Sequence, residues 1–333
     1  MSDRLLPDWG WACILQACHA DWAARRTTSF IVDEVAIEID AGGAWRCAAA
    51  LAAETAELLD LFLPLVAQAG PWVIAQLGQS LDGRIATASG ASHYINALEA
   101  RTHLHRLRAV VDAVVVGVGT VNADDPQLTV RHVPGANPLR VVLDPRRRAR
   151  AQARVFHDGA APTLHLMTED SALQRDAGLA AGGTGAGAAP SDHARGTRSP
   201  TVGDALAALP SPLAAGEVRQ CVLPCDGEGF APAAVLRWLR EAGYRRVLVE
   251  GGGVTVSRFL QAGALDRLHV MVAPMLIGSG RPGLVLPPID TLEEAIRPAS
   301  RCFACGVDTL FDLELRAADL HGRARGGGGG AGV

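Results

Sequence analysis

Short apolar runs closed by glycine or a polar turn recur along this chain, and stretches of helical spacing lie between them. Ala113–Gly117, Leu139–Leu143 and Leu164–Thr168 are short, mainly apolar runs, the pattern of strands buried on both faces of a parallel sheet. Trp72–Leu77, Val247–Glu250 and Leu268–Ala273 also read as strands, and Leu310–Leu315 alternates as an edge strand should. Helices are predicted within Ser92–Arg108, over Pro232–Ala242 and over Thr255–Ala262. Nearer the N-terminus, Ser29–Ile39 alternates like a strand and Trp45–Val66 has helical spacing. Strands alternating with helices predict an α/β fold with a mostly parallel sheet covered on both faces.

The pattern divides the chain. Residues 1–69 read as a small α+β extension of unknown role, with Trp9, Trp11 and Trp22 near its start. Residues 70–316 carry the strand–helix alternation, interrupted at 171–217 by an Ala/Gly-rich stretch expected to be flexible. The tail, 317–333, ends in a glycine run and is expected to be disordered.

Composition narrows the function classes. The formal charge of −4 gives no electrostatic footprint for nucleic acid or an anionic membrane. There is no lysine: all 31 basic residues are arginine, which excludes Schiff-base lysine chemistry and a lysine-dependent phosphate loop. No apolar stretch is long enough to span a bilayer, and no signal peptide is visible, so a cytoplasmic location is expected. The 7 cysteines then read as mostly reduced thiols. Cys221/Cys225 and Cys302/Cys305 have half-site spacing, but no histidine lies near them in sequence, so no metal is expected.

Three motifs carry candidate chemistry. Val247–Gly253 runs from an apolar strand into three glycines and a helix, which suits either a phosphate cradle or a tight packing turn. Ser80–Gly83 is a turn signal. In Gly117–Pro126 a buried strand ends in Gly and Thr, and two carboxylates precede a proline. Asp124 and Asp125 could form a turn device, or could present an acceptor to a sugar hydroxyl.

As a set, these motifs resemble the reductase domain of bacterial riboflavin synthesis, the RibD C-terminal family. The matching positions are Ser80–Gly83, Gly90–Ser92, Leu107–Arg108, Gly117–Arg131, Val142–Asp144, Val249–Gly252, Leu260–Gly263, Leu265–Asp266, Ala273–Pro274 and Leu276–Gly278. The resemblance implies a dihydrofolate-reductase-like fold and NADPH-dependent reduction of a phosphoribosylamino-pyrimidine to a ribityl product. It implies that Ser92, Arg108, Leu128, Arg131 and Glu250 line the substrate. It implies that Gly78, Tyr94, Thr120, Asp124, Gly252, Gly253, Val254 and Thr255 hold NADPH, and that the chain forms a homodimer through Leu268–Ala273 and Pro274–Ile277. Arg146–Arg148 follow the strand Leu139–Leu143, where an adenosine 2′-phosphate would need cations. They read either as that site, with Arg146 as its representative, or as a solvated basic loop.

Two departures matter. Residues 1–70 lack the zinc deaminase signature that usually precedes the family's reductase. Gln76 stands where the family commonly has lysine, and an amide can hydrogen-bond but cannot neutralise charge. A paralogous reductase of another pterin or pyrimidine, or a non-catalytic nucleotide-binding scaffold, are the alternatives. His103 and His105 share a predicted helix with Arg101, Arg106 and Arg108, and a solvated face is expected for most of that group.

Overall fold

The computed structural model describes residues 6–169, 213–225 and 229–316. Most of the stretch expected to be flexible, and the whole tail, lie outside these residues.

The N-terminal segment begins with α1 (Pro7–Cys18), continues through the antiparallel strands β1 (Thr27–Val32), β2 (Val35–Asp40) and β3 (Trp45–Cys47), and ends in α2 (Ala53–Val66). The alternation over Ser29–Ile39 thus belongs to two strands, not one. Asp33 and Glu34 take φ of 47° and 65°, the left-handed pair of a two-residue hairpin turn. The helical spacing from Trp45 likewise splits, because Ile39 pairs with Trp45 and holds β3 extended before the helix begins.

Beyond it come β4 (Trp72–Ser80), β5 (Arg84–Ala86), α3 (Leu98–Val110), β6 (Ala113–Gly117), α4 (Val118–Asp124) and β7 (Leu139–Leu143). Then follow β8 (Thr163–Met167), β9 (Val218–Val222), α5 (Pro232–Glu241), β10 (Arg246–Glu250), α6 (Gly253–Gln261), β11 (Arg267–Ala273), β12 (Arg281–Pro282), β13 (Ala299–Cys305) and β14 (Asp308–Glu314). A nine-stranded sheet has the order β13-β14-β11-β4-β10-β6-β7-β8-β9. All neighbours from β11 to β9 are parallel, and the antiparallel pairings are those of β14 with β11 and with β13. The expected α/β fold with a mostly parallel sheet therefore holds. The expected edge strand, β14, is instead an inner strand, and β13 takes the edge.

Each face of the sheet has its own core. Val73, Ala75, Val115, Val247 and Val249 pack against α5 and α6 through Leu239, Val256 and Phe259. Ile74, Val114, Val116, Leu248 and Met271 point the other way, onto Trp9, Trp11, Phe62 and Leu107 from α1, α2 and α3. The N-terminal segment is therefore part of the covering layer on one face, continuous with the sheet's own core. Among the described residues, no helix is long and apolar enough to cross a membrane.

Candidate active-site cleft

Parallel strands end together, and the loops beyond their carboxyl ends leave a crevice where ligands of such sheets bind. Here a cleft of about 1000 Å³ opens beyond β4, β6, β7 and β10. That volume suits a dinucleotide with a small second ligand.

One wall is the glycine turn after β10. Gly251 has φ of 106°, and a Cβ there would lie 2.6 Å from Thr120 Oγ1, so only glycine fits. Thr120 in turn accepts the Gly252 amide at 2.8 Å, which fixes the turn against α4. Gly252, Gly253, Val254 and Thr255 line the cleft, and the first turn of α6 offers its amides there. Gly78 leaves room for Asn96, whose Oδ1 would lie 2.1 Å from an added Cβ. Tyr94 lies at the mouth, mostly exposed, with the Arg101 guanidinium 5.4 Å from its ring centre.

The opposite wall carries the charged groups. Ser92 donates to Asp124 Oδ1 at 3.0 Å, joining a residue assigned to substrate and one assigned to cofactor. The neighbouring carboxylates separate in role. Asp125 adopts the left-handed C-cap of α4 and accepts the Arg154 amide at 2.8 Å, while Asp124 faces the cleft. Arg131 also faces it, and its pKa is lowered by partial burial and then by Arg108 and Arg154. An anion placed there would relieve that repulsion.

Some expected residues lie elsewhere. Arg108 and Glu250 do not line the cleft; they close on each other in the layer beneath it, with two bonds of 2.7 Å, and Arg108 also donates to Thr129 O at 3.0 Å. Leu128 is buried with φ of 55°, a left-handed residue that shapes the loop and does not present its side chain to the cleft. Arg146 is exposed and off the cleft, whereas Arg148 lines it. The cause is Asp144 at the end of β7, which accepts the amides of Arg148 and Ala149 at 2.7 and 2.9 Å and curls the loop inward. Burial opposes the charge on Asp144, but His165 and these amides outweigh it and hold its pKa down. The sequence reading also missed Arg101 and Arg281, which line the cleft from α3 and β12.

The solvated face expected on α3 is a correction. His103, His105 and Arg108 are buried. His103 Nε2 lies 2.9 Å from His269 Nδ1, and His269 Nε2 lies 3.2 Å from Asp312 Oδ1. Burial pushes the pKa of His103 well down, and burial followed by Arg108 lowers that of His105 to about 3. Neutral His105 can then accept the Arg131 amide at Nδ1, 2.9 Å away. Strand register aligns Gln76 with His269, and His269 with Asp312. Glu250 follows Val249, the partner of Ala75, so the polar row continues through Gln76 to Glu250. Gln76 lines the cleft with its buried Oε1 unpartnered. Among the described residues no cluster of His, Cys, Asp or Glu is placed to hold a metal, and the cysteines there are free thiols.

Comparison with known proteins agrees with this architecture. The 2,5-diamino-6-ribosylamino-4(3H)-pyrimidinone 5′-phosphate reductase of Methanothermobacter thermautotrophicus is 32% identical over 253 residues, 74% of this chain and 99% of that protein. The riboflavin biosynthesis protein RibD of Aquifex aeolicus is 30% identical over 228 residues, 68% of this chain. This chain spans about half of that RibD, 53% of its length. The solved RibD of Acinetobacter baumannii superposes with a TM-score of 0.54 at 26% identity, covering 78% of this chain and 62% of that one. The RibD C-terminal domain pattern itself matches residues 71–294, from the start of the parallel sheet to beyond the last cleft residue, and the chain belongs to that family.

Proposed function

We propose that the protein is an NADPH-dependent reductase of a phosphoribosylamino-pyrimidine in riboflavin biosynthesis. The observation that carries this reading is the convergence of Arg131, Asp124 and the glycine turn on one cleft at the carboxyl ends of parallel strands. The names of the relatives, a pyrimidinone 5′-phosphate reductase and RibD, support the substrate class.

The cleft residues fit a nicotinamide dinucleotide. Gly252–Thr255 would take the pyrophosphate on the amides of α6, and Arg148 would meet the adenosine 2′-phosphate. NADPH, when bound, would supply a hydride to C1′ of the sugar, and with a proton from solvent taken up by the ring oxygen the C1′–O bond would open to leave the ribityl chain. The protein's own residues position the partners: Arg131 grips the substrate phosphate, and Ser92 and Asp124 bond along the boundary between substrate and cofactor. Beneath them, the Arg108–Glu250 pair fixes α3 to β10.

Arg131→Ala should lower kcat/KM by about 2–4 kcal/mol and leave NADPH affinity nearly intact. Unchanged kinetics on the phosphorylated substrate would defeat the phosphate assignment. Arg148→Ala should erode the preference for NADPH over NADH; equal dissociation constants for the two cofactors in the parent protein would remove the 2′-phosphate reading.

A second reading, reduction of another pterin or pyrimidine, is favoured by Gln76, whose neutral amide occupies a place where the family commonly has a cation. Turnover of a dihydropterin in place of the phosphoribosylamino-pyrimidine would select it. For assembly, β11 is an inner strand with Leu268 and Met271 buried, which corrects the expected contact over Leu268–Ala273. The other expected stretch, Pro274–Ile277, keeps Met275 and Leu276 exposed, and a homodimer would use it together with Val285, Ile289 and Leu292; light scattering at micromolar concentration would report its mass.

A further inference from the structure

The loop from Pro126 to Asn137 carries Arg131 and has no regular secondary structure. It is held instead by its carbonyls. Arg140 Nη1 donates to Gln127 O at 3.1 Å, and Arg108 Nη1 donates to Thr129 O at 3.0 Å. The third anchor comes from the far N-terminal segment: Trp11 Nε1 donates to Pro134 O at 2.9 Å. Of the three donors, Trp11 alone lies outside the family match at 71–294.

Trp11 is rigidly placed. It is buried, its ring meets Phe62 edge-on with centroids 5.6 Å apart, and Arg106 of α3 lies 5.8 Å from its ring centre. Val133, next to the anchored carbonyl, packs on the same core. At the near end of the loop, His105 accepts the Arg131 amide and stacks on His132 with centroids 4.3 Å apart. The Arg131 backbone is therefore held between α3 on one side and a residue of α1 on the other.

We propose that Trp11 is a positioning residue for substrate: the N-terminal segment braces the Arg131 loop through the Trp11–Pro134 bond and thereby sets affinity for the phosphorylated ligand. The proposal rests on the reading of Arg131 as a phosphate contact. The Trp11–Pro134 bond is part-buried; a carbonyl that loses its fixed indole donor there lets the loop sample other conformations, so the effect should fall on substrate binding before it falls on the chemical step.

The fold supplies a matched control. Trp9, in the same helix and also buried, donates its Nε1 to Val32 O at 2.9 Å, a bond internal to the N-terminal segment. Trp9→Phe and Trp11→Phe each remove one indole donor and keep an aromatic ring in the same core. Trp11→Phe is expected to raise KM for the phosphorylated pyrimidine about three- to tenfold, with kcat and NADPH dissociation constant within about twofold. It is also expected to speed amide hydrogen exchange at Val130 and Arg131, read on the full chain without substrate. Trp9→Phe should leave both unchanged even if its melting temperature falls as far.

Equal KM shifts in the two variants, or loop exchange in Trp11→Phe that matches the parent protein, would overturn the proposal. The exchange arm needs no substrate, so its failure refutes the brace alone. An Arg131→Ala enzyme with parental kinetics refutes the underlying phosphate assignment.

Discussion

The two faces of the central sheet solve the same packing problem with different chemistry. The face under α5 and α6 has a core of aliphatic and aromatic side chains, from Val73 and Ala75 to Leu239 and Phe259, with no buried ion pair among these described residues. The face under α1, α2 and α3 has an apolar core too, but the row Asp312, His269, Gln76 and Glu250 crosses it, capped by His103 and Arg108 of α3. One face only has to exclude water; the other also has to hold charged groups in register behind a cleft. Burying polar groups is costly unless each finds a partner, so the second face is more specific and more fragile.

Single substitutions should expose that difference. The largest effect is expected from Glu250→Ala, which strands the buried Arg108 guanidinium: stability should fall by about 3–5 kcal/mol in urea unfolding, and kcat/KM should fall in the protein that remains folded. Leu239→Ala on the aliphatic face should cost about 3 kcal/mol through its cavity while kcat and KM stay near parental values. If Leu239→Ala impaired catalysis as strongly as Glu250→Ala, the division between the faces would fail. At the cleft itself, Asp124→Ala should weaken NADPH by about 1–3 kcal/mol in a fluorescence titration, by removing a charged acceptor. A lowered melting temperature with an unchanged dissociation constant would return Asp124 to a purely structural role.

The smallest effect is a pH dependence. His105 has its native pKa lowered to about 3, chiefly by burial and then by Arg108, against an ordinary value of 6.5. A depressed native pKa means that the stability is complete above the unfolded value and lost as pH falls below it. Between pH 7.5 and 5, the native state should therefore lose about 1–2 kcal/mol from this group. His105→Asn keeps an acceptor for the Arg131 amide and should flatten that slope in denaturant melts at the two pH values.

What the sequence made legible follows the same division. Buried parallel strands announce themselves as short, mainly apolar runs, and β6 and β7 appear where those runs stand, although β7 buries Arg140 in its ion pair with Asp158. The glycine turn and Asp124 were legible because the motifs are local, with Gly251 required by a left-handed φ. The polar face was not legible. The partners of His103 and Arg108 lie 166 and 142 residues away, so from the sequence alone α3 looks like a solvated basic helix. The edge strand β13 was missed because its residues are mostly exposed and carry no apolar period. Helix α4 was missed because Gly119 and Asn122 are weak helix formers, and its end is set by the unusual backbone of Asp125.

The strand order has a consequence for how the chain must be made. Strand β4 is drawn early in synthesis, yet its two sheet neighbours, β10 and β11, are encoded near the other end. Until the ribosome has passed Glu250, β4 has no hydrogen-bonding partner on either side, and until it has passed Ala273 one side stays unpaired. Such non-local pairing slows folding and lengthens exposure to aggregation. Nascent chains halted before Arg246 should therefore engage holding chaperones, and release should coincide with emergence of β10 and β11.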